Sequence, residues 1–146
     1  MVERVCLVVG ARPNFVKAYP LLRAFSEEEM EVSLVNTGQH YDAELCEVFF
    51  DELRIRDFVR EINLKVGSGS HAEQTAKMLL GIEQIVRREK FDLVIVQGDT
   101  NSTLSGALAS VKVGVPVAHV EAGLRSFDNR MPEEINRKIV SAVATY

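Results

Sequence analysis

The chain has 146 residues, which is enough for one domain with a core of its own. Its hydrophobic fraction of 47% and charged fraction of 26% are typical of a globular protein. A formal net charge of −4 argues against a general nucleic-acid or anionic-membrane surface, and no apolar run is long enough for a signal peptide or a membrane span.

The first half of the chain alternates strand and helix patterns. A β-branched run predicts a buried strand over Arg4 to Val9, and helical spacing predicts a helix over about 13–25, kinked or divided at Pro20. A second strand is predicted over 31–36, then a helix capped by Asp42, then a weaker strand over 58–64. The predicted apolar face of the first helix consists of Val16, Tyr19 or Pro20, Leu22 and Phe25.

The second half repeats the alternation. Ser70 and Glu73 have the spacing of a capping box, which opens a helix that ends near Lys90. Strands are predicted over 91–97 and 117–120, separated by a helix rich in small residues, and a last helix begins at Pro132. The predicted inner faces of these three helices are, in order, Thr75, Leu79, Ile82 and Val86; Leu104, Leu108 and Val111; and Ile135, Ile139 and Val143.

This alternation predicts an α/β fold with a parallel sheet and right-handed crossovers, in the strand order 3-2-1-4-5. Ligands bind such sheets beyond the carboxyl ends of the strands, at the point where the order reverses. We therefore expect the loops at 10–14, 98–100 and 119–125 to open onto the same edge.

The first of these loops does not support a nicotinamide cofactor. It lacks the GxGxxG spacing, and Asn36 stands where an acidic residue would end the second strand. Gly10, Arg12 and a helix N-terminus suit a diphosphate, but a tight turn with a solvated arginine fits the spacing equally well. We predict no cofactor, and no two histidines have metal-ligand spacing, so we predict no metal.

Several polar residues lie at or near the same edge. Asp99 is either the N-cap of the following helix or a functional acid. Glu121 directly follows a strand, where packing rarely needs a charge, and this position favours a functional role. On spacing alone, Glu133 and Glu134 are an ordinary acidic helix start. Asn136 and Arg137 lie in the same turn, which allows both to face the same pocket. His119 ends a strand, where a structural histidine is an adequate explanation.

Five short motifs in this order resemble the non-hydrolysing UDP-N-acetylglucosamine 2-epimerases. They are Gly10-Ala11-Arg12-Pro13-Asn14, Thr37-Gly38-Gln39-His40, Gln97-Gly98-Asp99-Thr100, His119-Val120-Glu121-Ala122-Gly123-Leu124-Arg125 and Pro132-Glu133-Glu134-Ile135-Asn136-Arg137. The resemblance implies two Rossmann-like domains arranged as in GT-B glycosyltransferases, with a UDP-sugar between them. It also implies interconversion of UDP-N-acetylglucosamine and UDP-N-acetylmannosamine by elimination and re-addition of UDP.

The resemblance assigns roles residue by residue. Asp99, Glu121 and Glu133 match catalytic acids, and the substrate-binding positions are Arg12, Lys17, Arg137 and His119. Gln39 and His40 match part of an activator site found in some bacterial members. The arginine–glutamine pair of that site has no counterpart around 70–74, which argues against allosteric control.

By the same resemblance, residues 1–146 form an incomplete N-terminal Rossmann-like domain, and the C-terminal UDP-binding domain is absent. Three hypotheses follow: a fragment of the epimerase that is inactive alone, an interaction module that pairs with a separate C-terminal half, or a GT-B-type glycosyltransferase. A UDP-sugar substrate, cytoplasmic location and homodimer formation complete these expectations, without nucleic-acid or membrane partners.

Overall fold

The computed structural model describes residues 1–10, 12–38 and 43–146. Its strands are β1 (Arg4–Val9), β2 (Glu31–Asn36), β3 (Arg60–Asn63), β4 (Leu93–Gln97) and β5 (Val117–Val120). Its α-helices are α1 (Arg12–Glu27), α2 (Ala43–Glu52), α3 (His71–Glu89), α4 (Asn101–Lys112) and α5 (Pro132–Val143), with a 3₁₀ turn at Ile55–Asp57. None of the helices in these ranges has the length and apolar character needed to cross a membrane.

The five strands form one parallel sheet in the order β3-β2-β1-β4-β5, as the sequence predicts. Val5 of β1 lies opposite Val32 of β2 on one side and Leu93 of β4 on the other. The chain therefore winds outward in both directions from β1, and the order reverses between β1 and β4. That junction is where a doubly wound sheet places its ligands.

The last residues of the chain lie along the free edge of β5. Tyr146 donates its N–H to the carbonyl of Val117 at 3.1 Å, and the His119 N–H donates to the Tyr146 carbonyl at 2.9 Å. This alternation is how parallel strands pair. Tyr146 therefore pairs with the edge of β5 between Val117 and His119.

Apolar side chains pack on both faces of the sheet. Cys6, Val8 and Val94 meet α3, α4 and α5 on one face, while Val5 and Leu7 meet α1 and α2 on the other. The central strands β1, β2 and β4 are buried on both sides, which explains their continuous apolar runs.

Small residues bring α4 close to the sheet, as predicted. A Cβ on Gly106 would lie 2.8 Å from Val96 Cγ1 and 3.2 Å from Val8 Cβ. A Cβ on Gly10 would lie only 1.9 Å from Ser102 Oγ. The start of α4 therefore packs directly against the loop that follows β1.

The predicted inner faces of α1 and α3 are wrong in part. Val16 is 54% exposed, because Phe15 instead takes the buried position and packs edge-on against Phe50, with ring centroids 5.5 Å apart. In α3 the buried positions include Gln74 and Met78, rather than their neighbours Thr75 and Leu79. Leu22 of α1 and both Ile82 and Val86 of α3 are buried as predicted, so the shift by one residue is confined to the start of each face. Both neighbouring positions there are suited to burial, and packing decides between them.

The predicted face of α5 is wrong in its first turn. Ile135 is 48% exposed, while Glu134, Asn136 and Val140 are buried. The two polar residues occupy inward positions because they bind neighbouring loops. Other differences are smaller: α1 continues through Pro20, and β3 begins at Arg60 because 55–57 form the 3₁₀ turn.

Candidate functional site

Loops from three strands converge at the carboxyl edge of the sheet. Gly98, which follows β4, has φ +76°, a conformation that glycine adopts without strain. A Cβ on Gly98 would lie 3.6 Å from Glu121 Oε2, after β5, and 3.9 Å from Asn14 Oδ1, after β1. The polar ends of these side chains therefore share the space above Gly98, as the strand order predicts.

Asp99 lies beside Gly98 and pairs with Arg137 of α5. The Nε and Nη2 atoms of Arg137 both donate to Asp99 Oδ2, at 3.1 and 2.6 Å. Asp99 is not the N-cap of α4, because Thr100 fills that position with a capping box. The ordinary capping explanation for Asp99 is therefore wrong.

A second carboxylate, that of Glu134, binds Arg137 through a guanidinium nitrogen that does not contact Asp99. Arg137 Nη1 donates to Glu134 Oε2 at 3.0 Å, and the Glu134 side chain is fully buried. The two carboxylates raise the pKa of Arg137, the hydrogen bond to Asp99 having the larger effect. Arg137 is thus a permanently charged link between two acids.

Glu134 also ties the loop after β5 to α5. It accepts the backbone N–H of Ser126 at 2.9 Å and that of Phe127 at 3.3 Å. The Ser126 N–H above all, together with Arg137, lowers the pKa of Glu134 to about 2, although burial opposes this shift. Its carboxylate is therefore ionised at neutral pH.

Glu121 forms the second ion pair at this edge. Lys17 Nζ lies 2.5 Å from Glu121 Oε1, and both side chains are partly exposed. Glu121 itself has φ +65°, which is uncommon for a non-glycine residue. Strained backbone of this kind clusters at functional sites, where it aims a side chain.

His119 supports the loop after β4. Its Nε2 lies 2.7 Å from the carbonyl of Gly98, so this nitrogen carries the donated proton. The residue is only 8% exposed, and Nδ1 is buried without a hydrogen-bond partner in the described ranges. This geometry matches the structural role considered for His119, and its substrate contact stays a prediction.

Two asparagines complete the support of Asp99. Asn136 Nδ2 donates to the Asp99 carbonyl at 2.9 Å and to Asn101 Oδ1 at 3.3 Å. The Asn101 amide in turn lies 3.0 Å from His71 Nδ1.

Sequence reasoning suggested that Asn136 could face the pocket, but it missed Asn101 and Glu134. The i,i+3 spacing of Glu134 and Arg137 was the one available signal.

The remaining predicted site residues are less constrained. Glu133 is half-buried in the first turn of α5, and in the described part of the chain it makes no hydrogen bond or ion pair. The Arg12 side chain, Gln39 and His40 lie outside the described residues. Across the ranges that the structure describes, no cluster of His, Cys, Asp and Glu is suited to a metal ion.

The fold and its edge define the class of protein: a Rossmann-like α/β domain with a charged site at its topological switch point. Residues 23–146 match the family model described as UDP-N-acetylglucosamine 2-epimerase. The chain belongs to this family and corresponds to the N-terminal domain of its members.

Individual relatives agree with this assignment. The chain is 45% identical over 143 residues to a UDP-N-acetylglucosamine 2-epimerase of Methanocaldococcus jannaschii, covering 98% of this chain and 38% of that protein. It is 46% identical over 142 residues to a UDP-2,3-diacetamido-2,3-dideoxy-D-glucuronate 2-epimerase of Pseudomonas aeruginosa, covering 97% and 40%. The chain thus spans about two fifths of the length of these relatives.

A solved structure confirms the fold. The crystal structure of the M. jannaschii epimerase in complex with UDP-GlcNAc and UDP matches with a TM-score of 0.91 at 45% identity. The match covers 98% of this chain and 39% of that one. The arrangement of strands and helices described above is therefore that of the family.

Proposed function

We propose that this chain supplies one wall of the active site of a UDP-sugar 2-epimerase, which interconverts UDP-N-acetylglucosamine and UDP-N-acetylmannosamine. The observation that carries the proposal is the charged edge at the switch point. Two carboxylates, Asp99 and Glu121, each face a cation there, and their loops meet above Gly98.

The reaction proceeds by elimination and re-addition. Loss of the C2 proton and cleavage of the bond between C1 and the diphosphate oxygen form 2-acetamidoglucal and UDP. Re-addition of UDP at C1 and delivery of a proton to the opposite face of C2 complete the inversion. The reaction therefore needs acid–base groups near C2 and positive charge near the departing diphosphate.

The residues of this edge suit both needs. We assign acid–base roles to Asp99, Glu121 and Glu133. Lys17 and Arg137 carry positive charge on the substrate side, and the resemblance adds Arg12. Glu133 lies in the first turn of α5, where the helix dipole favours an ionised carboxylate. It therefore suits a base or an electrostatic stabiliser better than an acid.

The sugar has a second candidate. The P. aeruginosa relative is named for a UDP-2,3-diacetamido-2,3-dideoxy-D-glucuronate, and its identity to this chain, 46%, is close to the 45% of the M. jannaschii protein. Both names describe inversion at C2 of a UDP-sugar. The same acids would serve either substrate, and contacts to the rest of the sugar would select between them.

The test uses a fusion in which this chain replaces the matching residues of the M. jannaschii relative, incubated with each UDP-sugar in D₂O. We expect proton NMR to show the epimer, with deuterium at C2, from at least one of the two substrates. A folded fusion that binds UDP-sugars but leaves C2–H of both unexchanged would contradict the proposed reaction.

The chain alone serves as the matched control. We expect no measurable turnover from it, because a single wall leaves the UDP without most of its contacts. Robust epimerisation by the isolated chain would refute the one-wall proposal. Transfer of the sugar to an acceptor, without the epimer, would instead favour the glycosyltransferase alternative.

A further inference from the structure

We propose that Glu134 is a positioning residue of this site, which fixes the Arg137 guanidinium so that it holds Asp99 by one oxygen only. The inference rests on the proposed function for its catalytic meaning, although its geometry stands without it. The side chain of Glu134 is 0% exposed and that of Arg137 is 16% exposed.

The contacts of Arg137 divide between its two sides. Nη1 faces Glu134, whereas Nε and Nη2 both reach Oδ2 of Asp99. Within the described ranges, no hydrogen bond reaches Oδ1 of Asp99. One Asp99 oxygen is therefore anchored, and the other is available to a substrate proton.

Glu134 is itself held on more than one side. Its two oxygens accept the N–H groups of Ser126 and Phe127 in the loop that follows β5. That loop begins at Glu121, whose backbone is already constrained at φ +65°. Glu134 thus couples the loop that carries Glu121 to the arginine that holds Asp99.

Charge balance gives the arrangement a second consequence. The two carboxylates and one guanidinium carry a net charge of −1. Glu134 therefore neutralises Arg137, and Asp99 keeps its negative charge on the side away from Glu134. Without Glu134, Arg137 would face Asp99 as an isolated neutral pair and would lose one of its two anchors.

The first test is side-chain hydrogen exchange in the ¹⁵N-labelled chain. We expect Glu134→Gln to speed exchange of the Arg137 Nε–H about tenfold or more, because a hydrogen-bonded charge is removed. The matched control is Glu83→Gln, which breaks an exposed arginine pair, to Arg87 on α3. This control should leave the Arg137 signal unchanged.

A purely structural role predicts a different result. If Glu134 only anchors the loop, the Ser126 and Phe127 amides will exchange faster while the Arg137 Nε–H stays as in the parent chain, and the proposal is wrong. If the glutamine variant does not fold, Glu134→Asp keeps the charge one methylene shorter, and the same exchange measurement decides.

The second test is turnover in the fusion with the M. jannaschii relative. We expect Glu134→Gln to lower kcat about 10²-fold with a smaller change in KM, since a misplaced catalytic group costs rate more than binding. An unchanged kcat, in a parent fusion that does turn over, would overturn the positioning role. A folded parent fusion that binds UDP-sugars without turnover would refute the proposed function alone, and the exchange test would still decide on Glu134.

Discussion

The two edges of the sheet both carry ion pairs, but they differ in how the charges are held. At the amino edge, Glu89 binds Arg60 and Arg88, each at 2.8 Å, and Arg4 binds Glu31 at 2.9 Å. The arginines of that edge keep 32–66% of their side chains exposed. The Glu89 carboxylate is only 10% exposed, but each of its arginine partners reaches solvent.

At the carboxyl edge the charges are layered instead. Glu134 is buried at the back, Arg137 lies in front of it, and Asp99, with 32% of its side chain exposed, comes last. Buried bonds fix the rear groups, so the front carboxylate presents one oxygen outward. Both edges contain a buried carboxylate, and they differ in the arginines that it binds. The arginines around Glu89 are 32–66% exposed, whereas Arg137 is 16% exposed and lies between two acids. Burial of the arginine therefore distinguishes the carboxyl edge from the amino edge.

The largest expected effect is on turnover, and it should distinguish variants at the carboxyl edge from variants at the amino edge. In the fusion with the M. jannaschii relative, Asp99→Asn and Glu121→Gln should each lower turnover about 10²–10⁴-fold, the usual cost of removing a general acid or base. Glu31→Gln, at the amino edge, should leave turnover unchanged. Equal losses at both edges, measured by NMR of the epimer, would mean that the variants act through stability.

Much of this architecture follows from the sequence. The alternation of strands and helices and the crossover rule favour the strand order that the structure shows, and this order brings the loops of Gly98 and Glu121 together. Motif resemblance then predicts Asp99 and Arg137 as site residues. Their contact with each other is a result of the fold.

The support behind the site does not follow from the sequence. A helical pattern assigns Ile135 to the core and Glu134 to solvent, because it uses only the polarity of each residue. It carries no information on the backbone N–H groups that the loop after β5 donates to Glu134 in the folded chain. The left-handed backbone conformation of Glu121 does not follow from the sequence either, since glycine and asparagine are the residues that indicate this conformation.

The next effect is on stability at the carboxyl edge. Gly10→Ala should destabilise the fold by about 1–3 kcal/mol, because its Cβ would meet Ser102 Oγ at 1.9 Å and Thr37 Oγ1 at 2.6 Å. Gly81→Ala is the matched control. Its Cβ would meet only the mobile end of Leu64, and alanine favours the helix. Chemical denaturation that finds Gly10→Ala as stable as the parent chain would contradict this packing.

A pH effect should follow from Glu134. Its pKa of about 2 in the folded chain lies below the ordinary unfolded value of about 4.3. The ionised carboxylate therefore stabilises the fold above about pH 4.3, and this contribution is lost as the pH falls toward 2. Glu134→Gln should be less stable at neutral pH and should lose less stability on acidification. Parallel curves of Tm against pH for the two chains would refute this assignment.

The smallest effect should come from the amino edge. Glu31→Gln removes one partner of Arg4, which also lies 3.8 Å from a Glu89 carboxylate oxygen. The Glu31 side chain is 54% exposed, so solvent screens the pair that is lost. We expect Tm to fall by no more than about 3 °C, and added salt to reduce the difference between the two chains. A larger, salt-independent loss would mean that the Arg4 guanidinium is held in a desolvated pair, as Arg137 is at the carboxyl edge. The contrast between the two edges would then fail, since both would depend on desolvated arginines.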